Sequence, residues 1–278
     1  MSESIKAMTF NIRGARKSDG VNAWERRADL NRRVIEHYAP DFIGFQEFQR
    51  ENLRYYRSNL SGYEWVLGPI YENRKPHAFN AIFYRPENLE LVEHGGFWLS
   101  ETPEEFSGSW NTAQIRSANW ARFRMANGTE FIHMNTHLDH KSVSARRKGT
   151  QLIIRELDAM GEIPLVVTGD FNAEPGAPVH NAFAKASFSD AHKVLGHPPT
   201  RTFHRFRGPE FSPKRKDREW RIDWVLLRGG WEAHSCDVCH DCEPPIFPSD
   251  HYPVMAELAL PGAMNDEPVD YDSRWSER

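Results

Sequence analysis

An α/β fold is predicted for this chain by the alternation of two kinds of segment: short apolar runs of strand length, and amphipathic stretches at helical spacing between them. A third observation sharpens it, because most of the apolar runs stop at a small cluster of polar residues. In open α/β sheets, ligand-handling groups collect at such strand ends.

Residues 5–12 alternate loosely and end in Asn11, Ile12, Arg13 and Gly14, which predicts a strand with a polar C-terminal end. Residues 23–39 carry Trp24, Ala28, Val34, Ile35 and Tyr38 at helical spacing, with Asn22 as N-cap and Pro40 as the stop. Residues 41–45 form a short buried strand followed at once by Gln46 and Glu47. Leu53, Tyr56 and Leu60 mark a second helix closed by Gly62. Strands are expected at 65–67, 81–84 and 89–99, the last with a bulge at Gly95 and Gly96. Residues 100–117 are polar and read as a long surface loop, a length that is uncommon in a compact domain and often functional.

Residues 118–124 and 130–136 pair as a hairpin across Asn127 and Gly128, and the second strand runs into His137, Leu138, Asp139 and His140. The clearest helix spans 143–160. Leu165, Val166 and Val167 form a buried strand stopped by Gly169, with Asp170 and Asn172 just beyond it. Taken alone, Asp170 and Asn172 are better explained by an Asx-turn than by a site. A short helix at 179–186, an irregular basic loop at 198–221, strands at 221–227 and 254–260, and a loosely held polar tail complete the reading. No internal repeat or linker divides the chain, so one domain over residues 1–260 and a tail at 261–278 are expected.

Composition narrows the function classes. With 278 residues, 39% of them hydrophobic, the chain can bury a substantial core. A net charge of −4 argues against a long groove built from basic excess, although a local patch is allowed. No apolar leader or membrane-length run is present, so a cytoplasmic location with no membrane partner and no obligate protein partner is expected. Three cysteines, an odd number, do not make a disulfide framework. Cys236, Cys239 and Cys242 follow a C-x2-C-x2-C spacing, with no second pair to complete a zinc finger. Packing is the expected account of them.

The polar strand ends form a constellation: Asn11; Gln46 and Glu47; His137 and Asp139; Asp170 and Asn172; Asp223; Asp250 and His251. Carboxylates, amides and histidines without a usable cysteine cluster favour a hard, oxygen-loving cation such as Mg²⁺ or Mn²⁺ over structural zinc. With histidines available to stabilise an anionic centre, the set suits metal-assisted phosphoester hydrolysis.

Six motifs then resemble, in order and spacing, those of the endonuclease/exonuclease/phosphatase superfamily with its deoxyribonuclease-I-like fold. They are Met8-Thr9-Phe10-Asn11-Ile12-Arg13, Gly44-Phe45-Gln46-Glu47, Asn135-Thr136-His137-Leu138-Asp139, Gly169-Asp170-Phe171-Asn172, Arg221-Ile222-Asp223-Trp224 and Ser249-Asp250-His251-Tyr252-Pro253-Val254. The resemblance implies a four-layered α/β sandwich, two packed β-sheets flanked by helices. It further implies Glu47 as the principal metal ligand, with Asn11 and Asp250 helping to hold Mg²⁺ or Mn²⁺, and Asn11 also contacting phosphate. His137 would donate to a phosphoryl oxygen, Asp170 would orient or deprotonate the attacking water, and Asn172 would hold the phosphate. Asp223 would brace His251, which stabilises charge growing on phosphorus.

The chain departs from the branches that act on abasic DNA, which carry an acidic residue where Arg13 stands. The segment around Gly96 to Pro103, with Arg116 and Trp120, resembles a bacterial branch nearer the deadenylase-like and small-substrate phosphodiesterases. There Arg116 is a candidate phosphate clamp, because a guanidinium fork fits phosphate oxygens; an ordinary surface arginine is the other reading. The expected function is a phosphodiesterase acting on a small molecule or a nucleic acid. A nuclease or deadenylase, and a catalytically silent binding module, are the alternatives.

Overall fold

A computed structural model of the chain describes residues 4–70, 78–212 and 220–260. Its strands are β1 (Ser4–Asn11), β2 (Phe42–Phe48), β3 (Glu64–Leu67), β4 (Phe79–Tyr84), β5 (Leu89–Trp98) and β6 (Ser117–Met125). They continue with β7 (Glu130–His137), β8 (Leu165–Asp170), β9 (Ser189–Asp190), β10 (Asp223–Arg228), β11 (Glu232–Val238) and β12 (Val254–Ala259). The helices are α1 (Trp24–Tyr38), α2 (Arg50–Asn59), α3 (Val143–Ala159), α4 (Pro178–Lys185) and the single turn α5 (Ala191–Val194).

The strands make two six-stranded sheets, ordered β11-β12-β1-β2-β4-β3 and β5-β6-β7-β8-β10-β9. Near the middle of each sheet is one parallel pair, β1 with β2 and β7 with β8, amid antiparallel neighbours. The inner faces bury Phe42, Phe123, Phe131, Val166 and Val225 against each other. On the outer face of the first sheet, α1 and α2 cover Phe10, Phe45, Phe48 and Phe83 with Ile35 and Tyr56. On the outer face of the second, α3 and α4 cover Val167 and Trp224 with Leu152, Ile153 and Phe183. The four-layered sandwich implied by the motifs is therefore the observed fold.

Strand alternation sends residues two apart to one face. Ile5 and Ala7 on β1, Phe131 on β7, Val166 on β8 and Val225 and Leu227 on β10 all join the inter-sheet core. By the same parity Asn11, His137, Asp170 and Asp223 point between the sheets at their shared edge. Beneath them lies a buried polar seam. Gln46 Nε2 donates to Thr9 Oγ1 at 3.0 Å and to Asn135 Oδ1 at 2.7 Å, and Asn135 Nδ2 donates across to the Phe45 carbonyl at 2.8 Å. Gly44 opposes this seam closely: a Cβ there would stand 2.2 Å from Thr168 Oγ1.

Several expectations are corrected. Asn22 does not cap α1, whose N-cap is Ala23 without a side-chain bond; the Asn22 amide oxygen instead accepts the Phe247 N–H at 2.8 Å. The register shift in β5 falls between Leu91 and Glu93 rather than at the glycines. Gly95 is needed because a Cβ would meet the Trp120 indole at 2.9 Å. The run 221–227 begins as a strand only at Asp223, and β11 is an edge strand that the sequence reading does not include. Lys214, Arg215, Lys216 and Arg218 of the basic loop, and the tail 261–278, lie outside the described residues. Among the described residues, no helix is long and apolar enough to cross a membrane.

Candidate active site

Glu47 has to break the strand pattern to reach the cleft. Simple alternation from Phe42 would turn it outward, toward the α1 and α2 layer. A register shift between Phe45 and Phe48 intervenes, and Glu47 takes φ +55°, the left-handed region that non-glycine residues rarely occupy. Arg13 (φ +61°) and Asn172 (φ +47°) are held the same way on neighbouring loops. Such backbone strain concentrates at functional sites. All three residues line one cleft of about 750 Å³, together with Arg116, His137, Asp170, Asp250 and His251.

Asp170 is the hub. Its Oδ2 accepts from Asn11 Nδ2 at 2.9 Å and lies 3.2 Å from His137 Nε2, while Oδ1 accepts the Asn172 N–H at 2.9 Å. Asp223 stands opposite it in register across β8 and β10. The Asp223 carboxylate meets His251 Nδ1 at 2.9 Å, and His251 Nε2 is 3.8 Å from Asp170 Oδ2. Burial and the adjacent Asp223 charge push the Asp170 carboxyl up to about 7, against the pull of His251 and the Asn172 N–H. His251 moves oppositely: burial disfavours its charge, but Asp223, Asp170 and Asp250 outweigh that and raise it to about 10. It is an imidazolium.

His137 is neutral, because burial and the Arg116 charge hold it well below the usual range. Arg116 Nη1 lies 3.1 Å from His137 Nδ1. A guanidinium only donates, so Nδ1 accepts and the proton sits on Nε2, facing Asp170. Arg116 itself is half-buried, and its Nε is a buried donor with no hydrogen-bond partner among the described residues. Asn172 Nδ2 donates to the Leu138 carbonyl at 3.0 Å and stands 3.1 Å from His137 Nε2.

On the other side of the cleft, Arg16 Nη2 bonds Glu47 Oε2 at 2.9 Å and Arg13 Nη1 lies 3.4 Å from Asp250 Oδ2. Burial works to raise the Glu47 carboxyl, but Arg16, Arg116 and Arg13 together lower it. Asp250 is raised, by burial first and by Glu47 among its neighbours, against Arg13 and Arg27. Its Oδ1 is buried without a hydrogen-bond partner among the described residues. Two mutually repelling carboxylates, one with an orphaned oxygen, fit a hard divalent cation such as Mg²⁺ or Mn²⁺. Asp170, Asp223 and His251 also bring ligand atoms within 4.8 Å of one another. There the protonated imidazole already supplies the positive charge, so those three read as a proton network.

Not every polar strand end reaches the cleft. Gln46 belongs to the inter-sheet seam. Asp139 is turned into the backbone, where its carboxylate accepts N–H bonds from Ala113, Gln114, Lys141 and Ser142; burial works to raise it, but such bonds prevail and lower it to about 2. Arg221, beside Asp223 in its motif, pairs with Asp190 at 2.8 Å. The cysteines join no ligand cluster among the described residues. Arg16, and the aromatic wall of Phe203 (4.9 Å ring to ring from His251), Phe206 and Trp220, went unread in the sequence. No local pattern marks them.

Comparison with known proteins places residues 8–251 in a match to the Endonuclease/Exonuclease/phosphatase family. The chain is similar to an endonuclease/exonuclease/phosphatase structure from Bacteroides vulgatus, with 30% identity, TM-score 0.84, and coverage of 93% of this chain and 100% of that one. It is also similar to a Bacteroides thetaiotaomicron mannosyl-6-phosphatase structure, at 27% identity and TM-score 0.82, covering 91% and 99% respectively. Among curated proteins, Nocturnin of Drosophila melanogaster is 29% identical over 287 residues, a match covering 85% of this chain but 42% of that protein.

Proposed function

This chain belongs to the endonuclease/exonuclease/phosphatase family of phosphoester hydrolases, and we propose that it is divalent-metal-dependent, hydrolysing a small-molecule phosphate ester by attack of water on phosphorus. The observation that carries this is the opposition, across one cleft, of a raised carboxyl at Asp170 to an imidazolium at His251, beside the Glu47 and Asp250 carboxylates. Titratable groups whose environments drive them apart in this way mark acid and base assignments. We read residues 1–260 as one catalytic domain, because a single cleft draws on both sheets, and 261–278 as lying outside it.

In this reading Asn11 and the Asn172 N–H aim the two oxygens of Asp170, which orients the attacking water and takes its proton. His251, held in one orientation by Asp223, donates to the phosphoryl oxygen on which charge grows. The Arg116 fork contacts the remaining phosphoryl oxygens, while the Nε2 proton of His137 is turned to Asp170 and steadies that carboxylate. Glu47 and Asp250, with Asn11 beside them, would hold Mg²⁺ or Mn²⁺, which when bound neutralises phosphate charge. The unbroken set of polar groups argues against a silent binding module.

The likeness to mannosyl-6-phosphatase supports a small ester. Exposed Arg205 and Arg207, at or near the cleft in the basic loop, favour a second reading, a nuclease or deadenylase. Purified protein with Mn²⁺ should be assayed against p-nitrophenyl phosphate, bis-p-nitrophenyl phosphate and an RNA oligomer. Turnover of either small ester with weak salt dependence is expected; the relative rates give the monoester or diester preference. Turnover confined to RNA, with affinity falling steeply in salt, would establish the second reading instead. Inertness toward all three would overturn both.

A further inference from the structure

Arg27 is the one arginine of α1 with no contact to solvent, yet among the described residues no carboxylate forms an ion pair with it. Its four bonds all go to backbone carbonyls: Nε to Asn22 at 2.8 Å, Nη1 to Ile12 at 2.7 Å and to Pro248 at 2.9 Å, and Nη2 to Gly14 at 2.5 Å. Trp24 lies 5.1 Å from the guanidinium carbon and Phe206 5.8 Å, ring centroid to carbon. Asp250 and Asp19 favour its charge only from beyond ion-pair distance, against the larger cost of burial, so the guanidinium is held in place by the carbonyls it bonds.

The carbonyls it gathers explain the choice. Ile12 and Gly14 flank Arg13 just after Asn11, and Pro248 precedes Ser249, Asp250 and His251. One planar fork therefore spans the loop leaving β1 and the loop entering β12, which lie more than 200 residues apart in sequence. A second, smaller tie joins the same loops: Ser249 Oγ donates to the Asn11 carbonyl at 2.6 Å. We propose that Arg27 is a positioning residue for the site, clamping these two loops so that Asn11, Asp250 and His251 stand at working distance from Asp170. It touches no substrate. The inference rests on the functional reading above.

Arg27→Lys is the test. An ammonium keeps the charge but presents its donors from one point and cannot reach carbonyls on three segments. The variant should stay folded by circular dichroism well below its melting midpoint. Its kcat should fall by about 30-fold with KM changed less than about threefold, since displacement of reacting groups acts on the transition state. Calorimetric Mn²⁺ affinity should weaken about fivefold, through the freed Asp250. A folded variant with kcat and Mn²⁺ affinity both within twofold of wild type overturns the proposal. Should Arg27→Lys fail to fold, Ser249→Ala, which cuts the lesser tie, must lower kcat and Mn²⁺ affinity in the same direction; wild-type values there overturn it equally. The calorimetric arm needs no substrate. If wild type hydrolyses no ester yet the variant loses Mn²⁺ affinity, the functional reading falls and the positioning role stands.

Discussion

Replacing Asp170 with Asn separates a catalytic carboxylate from a turn-forming one. The Asn172 N–H bond to Oδ1 survives, because an amide oxygen accepts as well as a carboxylate does. The turn should therefore persist. What changes is Oδ2, which now receives the Asn11 amide and faces His137 Nε2; an NH₂ there meets donors and cannot take a proton from water. General-base catalysis contributes about 10²–10⁴-fold, so a loss near 10³-fold in kcat, about 4 kcal/mol of barrier, is expected with little change in KM. Stability should move the other way. The Asp170 carboxyl is raised from 3.8 to about 7 in the fold, chiefly by burial and then by Asp223. A raised carboxyl means the folded state binds more protons than the unfolded one, so in chelator wild type loses stability as pH rises through that window. The substituted amide carries no such charge, and the variant should be the more stable protein at pH 8, the difference closing toward pH 4. Single-turnover kinetics and thermal melts at the two pH values are the assays. A rate within tenfold of wild type, about 1.4 kcal/mol of barrier, would mean that Asp170 is only a turn residue.

Glu47→Gln should weaken Mn²⁺ binding at least about tenfold, about 1.4 kcal/mol, without unfolding the chain, and unchanged affinity by calorimetry would remove Glu47 from the metal site. Arg16→Gln should tighten the same binding up to about fivefold, since it frees Glu47 from a partly exposed ion pair; weaker binding would show that Arg16 supports the site rather than competing for it. Gly44→Ala should lower the melting midpoint by about 5–10 °C, because its methyl would collide with Thr168 Oγ1 and, at 2.7 Å, with Asn135 Oδ1. A midpoint shift under about 1 °C would show that the seam yields easily. Protein purified without chelator should contain no stoichiometric zinc, and zinc that Cys239→Ser abolishes would contradict this.

Asn11, His137, Asp170 and Asp223 were legible from the sequence because period-two alternation and the end of an apolar run are local properties, and both survive folding unchanged. The six motifs added their order, and with it the four layers. Glu47 is different. Its motif marked it, but alternation alone would send it to the helix layer, and only the shift against β4 with a left-handed backbone brings it into the cleft. Gln46 and Asp139 looked like cleft residues for the same local reason as Asp170. Whether a polar strand end faces a cleft, a second sheet or its own loop depends on what packs against it, and that is a long-range fact. Asn135, supplied by a strand 89 residues further on, claims Gln46, and the 113–114 backbone claims Asp139. Arg27 shows the limit most plainly. On its own helix it is one arginine among several, and its role exists only because tertiary structure brings the carbonyls of residues 12, 14 and 248 around one guanidinium.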